Sequence, residues 1–288
     1  MTKLKLSSKN SARSALLLLN IIPFVLCGCF SPKEHTYKEE EIPQIIEKIC
    51  KEEYGLNVVT KRAENTLWIY APMERILHKD YGTTPDKIFD EDMSGKLRDI
   101  LITTGRVLMS SDNTPAFFGI LASDTNLGIN YTLIGNTLDM RMSYSGFIPW
   151  TESNRRYIIK FEQAPQAIGD TSGLHFNPYN VDMADFLALQ ISQRIGWHFQ
   201  NERIKEYFKV ERSEGKFENG TFYFDYYIEE ISRPKQKIKI RDEILGIVSY
   251  CLKTYGFEDF STVMLTDLRA QEKLYYPKKE ILSWPTEF

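Results

Sequence analysis

Four histidines, His35, His78, His175 and His198, are the imidazoles of this chain, and their spacing limits what they can do. Metal ligands must converge, and no H-x-H or H-x-x-x-H spacing puts two of them on one face of an element. Asp170, Asp182 and Asp185 lack the alternating oxygens and central glycine of a calcium loop. No glycine-rich turn follows a strand pattern as a phosphate cradle requires. Gly169-Asp170-Thr171-Ser172-Gly173 sets a hydroxyl beside a carboxylate, yet no histidine context upstream supplies the base that such a serine needs. A glycine-flanked turn in which Asp170 bonds its own backbone accounts for that segment. Asp124 and Asp267 end matching strand patterns; as a pair they would suit acid and base work, but a carboxylate that begins a turn accounts for both, with Asn126-Leu127-Gly128 following the first. No catalytic, cofactor-binding or metal residue is assigned.

Cysteine spacing says more. Leu26-Cys27-Gly28-Cys29 closes a segment that carries Lys3, Lys5, Lys9 and Arg13, no acid before Cys29, and an apolar stretch over 15–26. Those twelve residues, interrupted by Asn20 and Pro23, fall short of the ~20 that span a bilayer. The segment resembles the signal peptide of bacterial lipoproteins, and L-x-G-C resembles their lipobox. The resemblance is confined to residues 1–29 and reaches no family for the rest. It implies diacylglycerol on the Cys29 thiol, cleavage after Gly28, and acyl groups as the only non-protein component. Acyl chains at ~0.8 kcal/mol per buried methylene would tether the chain to a membrane without spanning it. Phe30, where inner-membrane retention would call for aspartate, implies the outer membrane, facing periplasm or surface. In a cell with one membrane it implies the outer face of the plasma membrane.

Removing residues 1–28 from 288 leaves 260 and takes away four positive charges and no negative one, which moves the formal charge from −3 to −7. An acidic body repels phosphate backbones, so nucleic acid is set aside as a partner. Cys50 and Cys251 remain. Cys50 follows Ile42, Ile45, Ile46 and Ile49 on one helical stripe, and Cys251 follows Ile244, Ile247 and Val248 on another. Two unpaired core thiols are the reading; a Cys50–Cys251 disulfide joining the two halves in an oxidising compartment is the alternative.

The elements that must position these groups fall into five segments: a signal peptide (1–28), a lipidated polar tether (29–41), a first domain (42–162), a linker with Pro165, Gly169, Gly173 and Pro178 (163–181), and a second domain (182–288). The expected fold is α+β, two tandem helix-hairpin-helix-hairpin repeats with a mainly antiparallel sheet packed against helices. Glu64-Asn65-Thr66 matches Glu218-Asn219-Gly220-Thr221, Asn219-Gly220 being a type I′ hairpin signal. Leu97-Arg98-Asp99-Ile100 and Ile240-Arg241-Asp242-Glu243 each open a helix at an offset of 143, which also carries Phe117–Asp124 onto 260–267.

Phe222, Phe224, Tyr226 and Ile228 alternate with Tyr223, Asp225 and Tyr227, the period of a strand. Trp68, Tyr70, Tyr223 and Tyr227 fall on strand faces opposite the apolar stripe and are the candidate interaction surface, toward a partner, the other half or a ligand groove; cover by helices of their own domain is the alternative. The expected function is non-enzymatic: a membrane-anchored envelope lipoprotein that binds another envelope protein or an envelope component. A carrier of lipid or a small apolar ligand is the second reading, and an enzyme with an unrecognised site the third.

Overall fold

The computed structural model describes residues 37–81, 88–234 and 238–285, so the export segment and Cys29 lie outside the described residues. At the first of them, the Tyr37 N–H donates to the Ser110 carbonyl at 3.2 Å, and a 3-10 turn follows at Glu39–Glu41. Structure therefore starts ahead of the expected end of the tether at Glu41. In α1 (Ile42–Tyr54), Ile42, Ile46 and Cys50 point inward at helical spacing, and Gly55 ends the helix at φ 69°. A two-residue turn with Glu64 at φ 48° joins β1 (Val59–Ala63) to β2 (Thr66–Met73). α2 (Glu91–Met109) begins well before Leu97, because the Asp90 carboxylate accepts from the N–H groups of Asp92 and Met93. Capping rather than apolar spacing fixes that start.

β3 (Phe117–Asp124) lies parallel to β2, and β4 (Ile129–Asn136) returns antiparallel to it. At that turn Asp124 Oδ1 accepts from the N–H groups of Asn126 (3.0 Å) and Leu127 (2.8 Å). α3 (Thr137–Tyr144) and α4 (Trp150–Asn154) lead to β5 (Ile158–Gln163), which completes a first sheet in the order β1-β2-β3-β4-β5. α1 and α2 cover one face of it over Leu67, Ile69, Phe118 and Ile120. Trp68, Tyr70, Phe117, Leu121 and Ile158 point to the other face, under Phe176, Val181 and Phe186. Gly119 lies beneath the indole; a Cβ there would come within 2.3 Å of Trp68 Cε3, so only glycine admits the ring.

Residues 163–181, expected as a linker, are packed onto this second face. The Lys61 ammonium donates to the carbonyls of Gly173 (3.2 Å) and Phe176 (3.0 Å), and the Val181 N–H donates to the Thr66 hydroxyl at 2.8 Å. α5 (Met183–Phe199) starts there and continues onto a second sheet, with Phe186 in the first layer and Ile191, Ile195 and Phe199 in the second core. β6 (Phe208–Glu218) and β7 (Thr221–Glu230) turn at Asn219 and Gly220, both at positive φ, as the Asn-Gly signal predicts. After α6 (Ile240–Thr254), β8 (Thr262–Asp267) pairs parallel with β7, β9 (Glu272–Pro277) pairs antiparallel with β8, and α7 (Lys278–Ser283) follows. Between β8 and β9, Asp267 Oδ1 takes the role that Asp124 has in the first sheet, accepting from the N–H groups of Arg269 and Ala270, each at 2.9 Å. The sheet order is β6-β7-β8-β9. Phe222, Phe224, Tyr226 and Ile228 pack with α5 and α6 on its inner face. The fold is α+β, with two mixed, mostly antiparallel sheets packed with helices; in each, the parallel pair is the one bridged by a crossover helix. Among the described residues no helix is long and apolar enough to cross a membrane.

Candidate functional site

Strand register on the second face of the first sheet assembles a polar floor. Ser123 lies opposite Asn130, and Asn130 opposite Glu162; in the adjacent row, Leu121 lies opposite Thr132, and Thr132 opposite Lys160. Side chains in such rows stand ~4.5–5.5 Å apart. The Ser123 hydroxyl donates to Asn130 Oδ1 at 2.6 Å, which leaves the amide nitrogen of Asn130 as a donor. No hydrogen bond or ion pair within the described residues engages the Lys160 ammonium or the Glu162 carboxylate. Residues 164–181 form the wall, and floor and wall enclose a groove of about 390 Å³ lined by Asn130, Thr132, Lys160, Glu162, His175 and Tyr179.

Asp170 builds that wall. Its Oδ1 accepts from the Ser172 N–H (3.0 Å), the Ser172 hydroxyl (3.0 Å) and the Gly173 N–H (2.8 Å), and its Oδ2 accepts from the His175 N–H (2.9 Å) and from His175 Nδ1 (2.5 Å). Burial pushes the carboxyl upward, but the donors of His175 and Ser172 outweigh it and hold Asp170 well below the usual carboxylate range. The Tyr70 hydroxyl donates to the Asp170 carbonyl at 2.5 Å, and Trp68 Nε1 donates to the Tyr179 carbonyl at 2.7 Å. The Ser172 hydroxyl therefore serves the turn and faces no base. His175 Nε2 is buried without a partner among the described residues.

A second polar constellation lies where the two sheets' helices meet. Arg156 Nη1 donates to Asp139 Oδ1 at 2.6 Å and Arg156 Nε to Glu152 Oε1 at 3.0 Å; Arg194 Nη2 donates to Glu152 Oε1 at 2.6 Å. The Tyr255 hydroxyl donates to Asp139, Gln190 Nε2 donates to the Tyr255 hydroxyl at 2.8 Å, and the Tyr250 hydroxyl donates to Glu152 at 3.2 Å. Burial pushes Glu152 up, and the guanidiniums of Arg194 and Arg156 more than reverse it, so its carboxyl titrates below the ordinary range. Two carboxylates and two guanidiniums cancel. A cleft of about 300 Å³ beside them is lined by Glu152, Arg155, Arg194, Trp197, His198 and Tyr250. This constellation ties α3 and α4 to α5 and α6, and its charges are paired with one another, although Gln190 Oε1 and Arg194 Nε are buried without a partner among the described residues; in the groove it is the charged groups, Lys160 and Glu162, that are uncommitted.

The sequence-derived candidates are dispersed. Trp68 and Tyr70 are buried, so they form no exposed surface; the cover is residues 164–181 rather than helices alone, through Tyr179 and Phe176 on Trp68. Tyr223 and Tyr227 are half-buried on the outer face of the second sheet, with the Lys216 ammonium 4.9 Å from the Tyr223 ring centre. Cys50 and Cys251 are free and buried in separate cores, and no disulfide joins them; burial pushes each thiol up to about 11. Among the described residues no group of three or more His, Cys, Asp or Glu could hold a metal ion. Sequence reasoning missed Lys160, Glu162, Asn130 and Thr132. The alternation over Ile158–Gln163 signals a strand, but only register shows that its polar side meets that of β4. Large apolar side chains do reach solvent on 138–150, where Leu138, Phe147 and Trp150 are 63%, 78% and 60% exposed. Compared with known proteins, the sequence matches no family model, no curated protein and no solved structure.

Proposed function

We propose that this chain is an envelope protein held to a membrane by acyl groups on Cys29, and that its body acts by binding an envelope component in the groove on the first sheet. The observation that carries the reading is the groove itself: uncommitted polar side chains on a rigid strand floor, facing a wall fixed at several points. A polar floor suits a polar ligand better than the apolar cargo of a carrier. The test is recovery of envelope material by the full chain. Lys160→Met and Glu162→Ala should abolish it without lowering the melting temperature, and Cys29→Ser should release the chain from membranes with no acylated peptide in mass spectra. Membrane retention of Cys29→Ser, or recovery unchanged by the groove variants, refutes the corresponding half of the reading.

A second reading, docking of another envelope protein, is favoured by the apolar side chains exposed within 138–150, Leu138, Phe147 and Trp150. That segment lies near the point where the chain enters the body: Arg141 donates to the Leu108 carbonyl at 3.0 Å, and Tyr37 pairs at Ser110. A partner anchored in the same membrane would meet that end first. Phe147→Ser with Trp150→Ser should then cut protein recovery and leave groove binding intact.

The two sheets are further inferred to be copies of one unit. Asp124 and Asp267 take the same turn N–H groups, and strands 117–124 and 262–267 keep the offset of 143 at their hairpins. Thr66 pairs with Phe117 but Thr221 with Thr262, a two-residue slip that preserves which face each side chain occupies.

A further inference from the structure

We infer that the groove takes a neutral saccharide, whose hydroxyls bridge the cross-strand pairs Asn130–Glu162 and Thr132–Lys160 of the floor. This rests on the reading of the groove as a binding site and names its ligand class. The floor presents one cation, one anion and neutral donors side by side. A phosphate on Lys160 would meet the Glu162 carboxylate two residues along the same strand face, and a cationic ligand would meet Lys160 in turn. A hydroxyl both donates and accepts, so a row of hydroxyls at short intervals satisfies the Lys160 ammonium and the Glu162 carboxylate without a net charge of its own.

The wall supplies the other half of the match. Tyr179, 48% exposed, stands at the rim as a ring on which an apolar sugar face can lie, next to the groove's buried indole. Burial and the Glu162 carboxylate raise its phenol, so the hydroxyl stays protonated and able to donate. His175, with its side chain only 9% exposed, also lines the groove; Asp170 fixes its ring through Nδ1, and of the six buried side-chain polar atoms left unpaired among the described residues, Nε2 is the one that belongs to a groove-lining residue. A buried polar atom without a partner is costly, and a site that completes it on binding gains specificity. A hydroxyl can complete it in either direction, as acceptor or donor.

The purified full chain is titrated by calorimetry with maltotriose and with triacetylchitotriose, inorganic phosphate serving as the anion. At least one trisaccharide should bind saturably, with a Kd that changes less than about twofold between roughly 0.05 and 0.5 M salt, since a neutral ligand is not screened. Glu162→Ala and Lys160→Met should each weaken it tenfold or more at unchanged thermal midpoint. Phosphate binding that Lys160→Met abolishes, with no trisaccharide bound, overturns the saccharide and leaves the groove a binding site. Binding of none of the three, together with envelope recovery that ignores the groove variants, overturns the binding reading itself.

Discussion

The outer faces of the two sheets differ more than the sheets do. Both sheets hold an antiparallel hairpin, a helical crossover and a parallel pair, yet every residue of β2 but Pro72 is buried, while its counterpart β7 alternates buried and half-buried as far as Glu229. The difference lies in the stretch of chain beyond the second hairpin. After β4 come α3, α4, β5 and the segment 164–181, which wraps back over Trp68 and Tyr70; after β9 comes only the short α7 among the described residues. On the second sheet, the outer face is left to a ladder of charged pairs, Lys209 with Glu211, Arg212 with Glu214 and Lys216 with Glu218. The groove takes Lys160, Glu162 and its wall from the part that the second sheet lacks.

Truncating the aromatics tests the comparison at its largest effect. Trp68→Ala removes a fully buried indole and its hydrogen bond, and should cost roughly 3–5 kcal/mol of folding stability by urea denaturation. Tyr223→Ala, half-buried and facing outward, should cost under about 1 kcal/mol. Equal costs would mean that the second sheet is covered as well. Next in size is the constellation between the helices. Arg156→Ala strands Asp139 and part of Glu152 without their cation, and should cost about 3 kcal/mol, since breaking a buried pair leaves a charge uncompensated. A loss of a few tenths would place those groups in solvent.

Much of this architecture is legible in the sequence. The Gly55 stop, the Asn219-Gly220 turn and the alternation from Phe222 to Ile228 each follow from local conformational preference, which neighbours in sequence determine. The groove is not legible, because it depends on register. Asn130 and Glu162 become neighbours only when β5 pairs with β4, and the Asp170 turn becomes a wall only when Lys61 and Thr66, more than a hundred residues earlier in the chain, hold it down. The burial of Trp68 and Tyr70 escapes sequence reasoning for the same reason: strand periodicity tells which face they share, and nothing local tells what covers it.

Acid should destabilise the body through the carboxyls of the wall and of the constellation between the helices. The Asp170 and Glu152 carboxyls are both held below their ordinary values, so in the folded state they release protons that the unfolded chain still binds in acid. Their contribution to stability is complete above the unfolded carboxyl range, ~3.9–4.3, and is lost as pH falls through the folded values. Urea midpoints should fall as pH drops below about 4, and Asp170→Asn should flatten that decline while lowering the plateau at neutral pH. A decline of unchanged steepness would remove Asp170 from the account of the wall.

The smallest effect sharpens the comparison from the other side. Lys216 pairs with Glu218 at 3.1 Å and stands over Tyr223, and all of this happens at the surface of the second sheet, with Lys216 65% exposed at its side chain. Exposed pairs of this kind are worth ~0.2–1 kcal/mol and are screened by salt. Lys216→Ala should therefore cost under about 1 kcal/mol, and most of that cost should disappear in roughly 1 M salt. Lys61, also on a hairpin strand but donating to the carbonyls of Gly173 and Phe176 beneath the wall, obeys different rules. Its bonds are to neutral carbonyls in a half-buried site, so the cost of Lys61→Met should exceed that of Lys216→Ala and persist in high salt, because what is lost is the fastening of a wall rather than a screened attraction. Two lysines that respond alike to salt would show that the wall over the first sheet is held no more firmly than the ladder on the second.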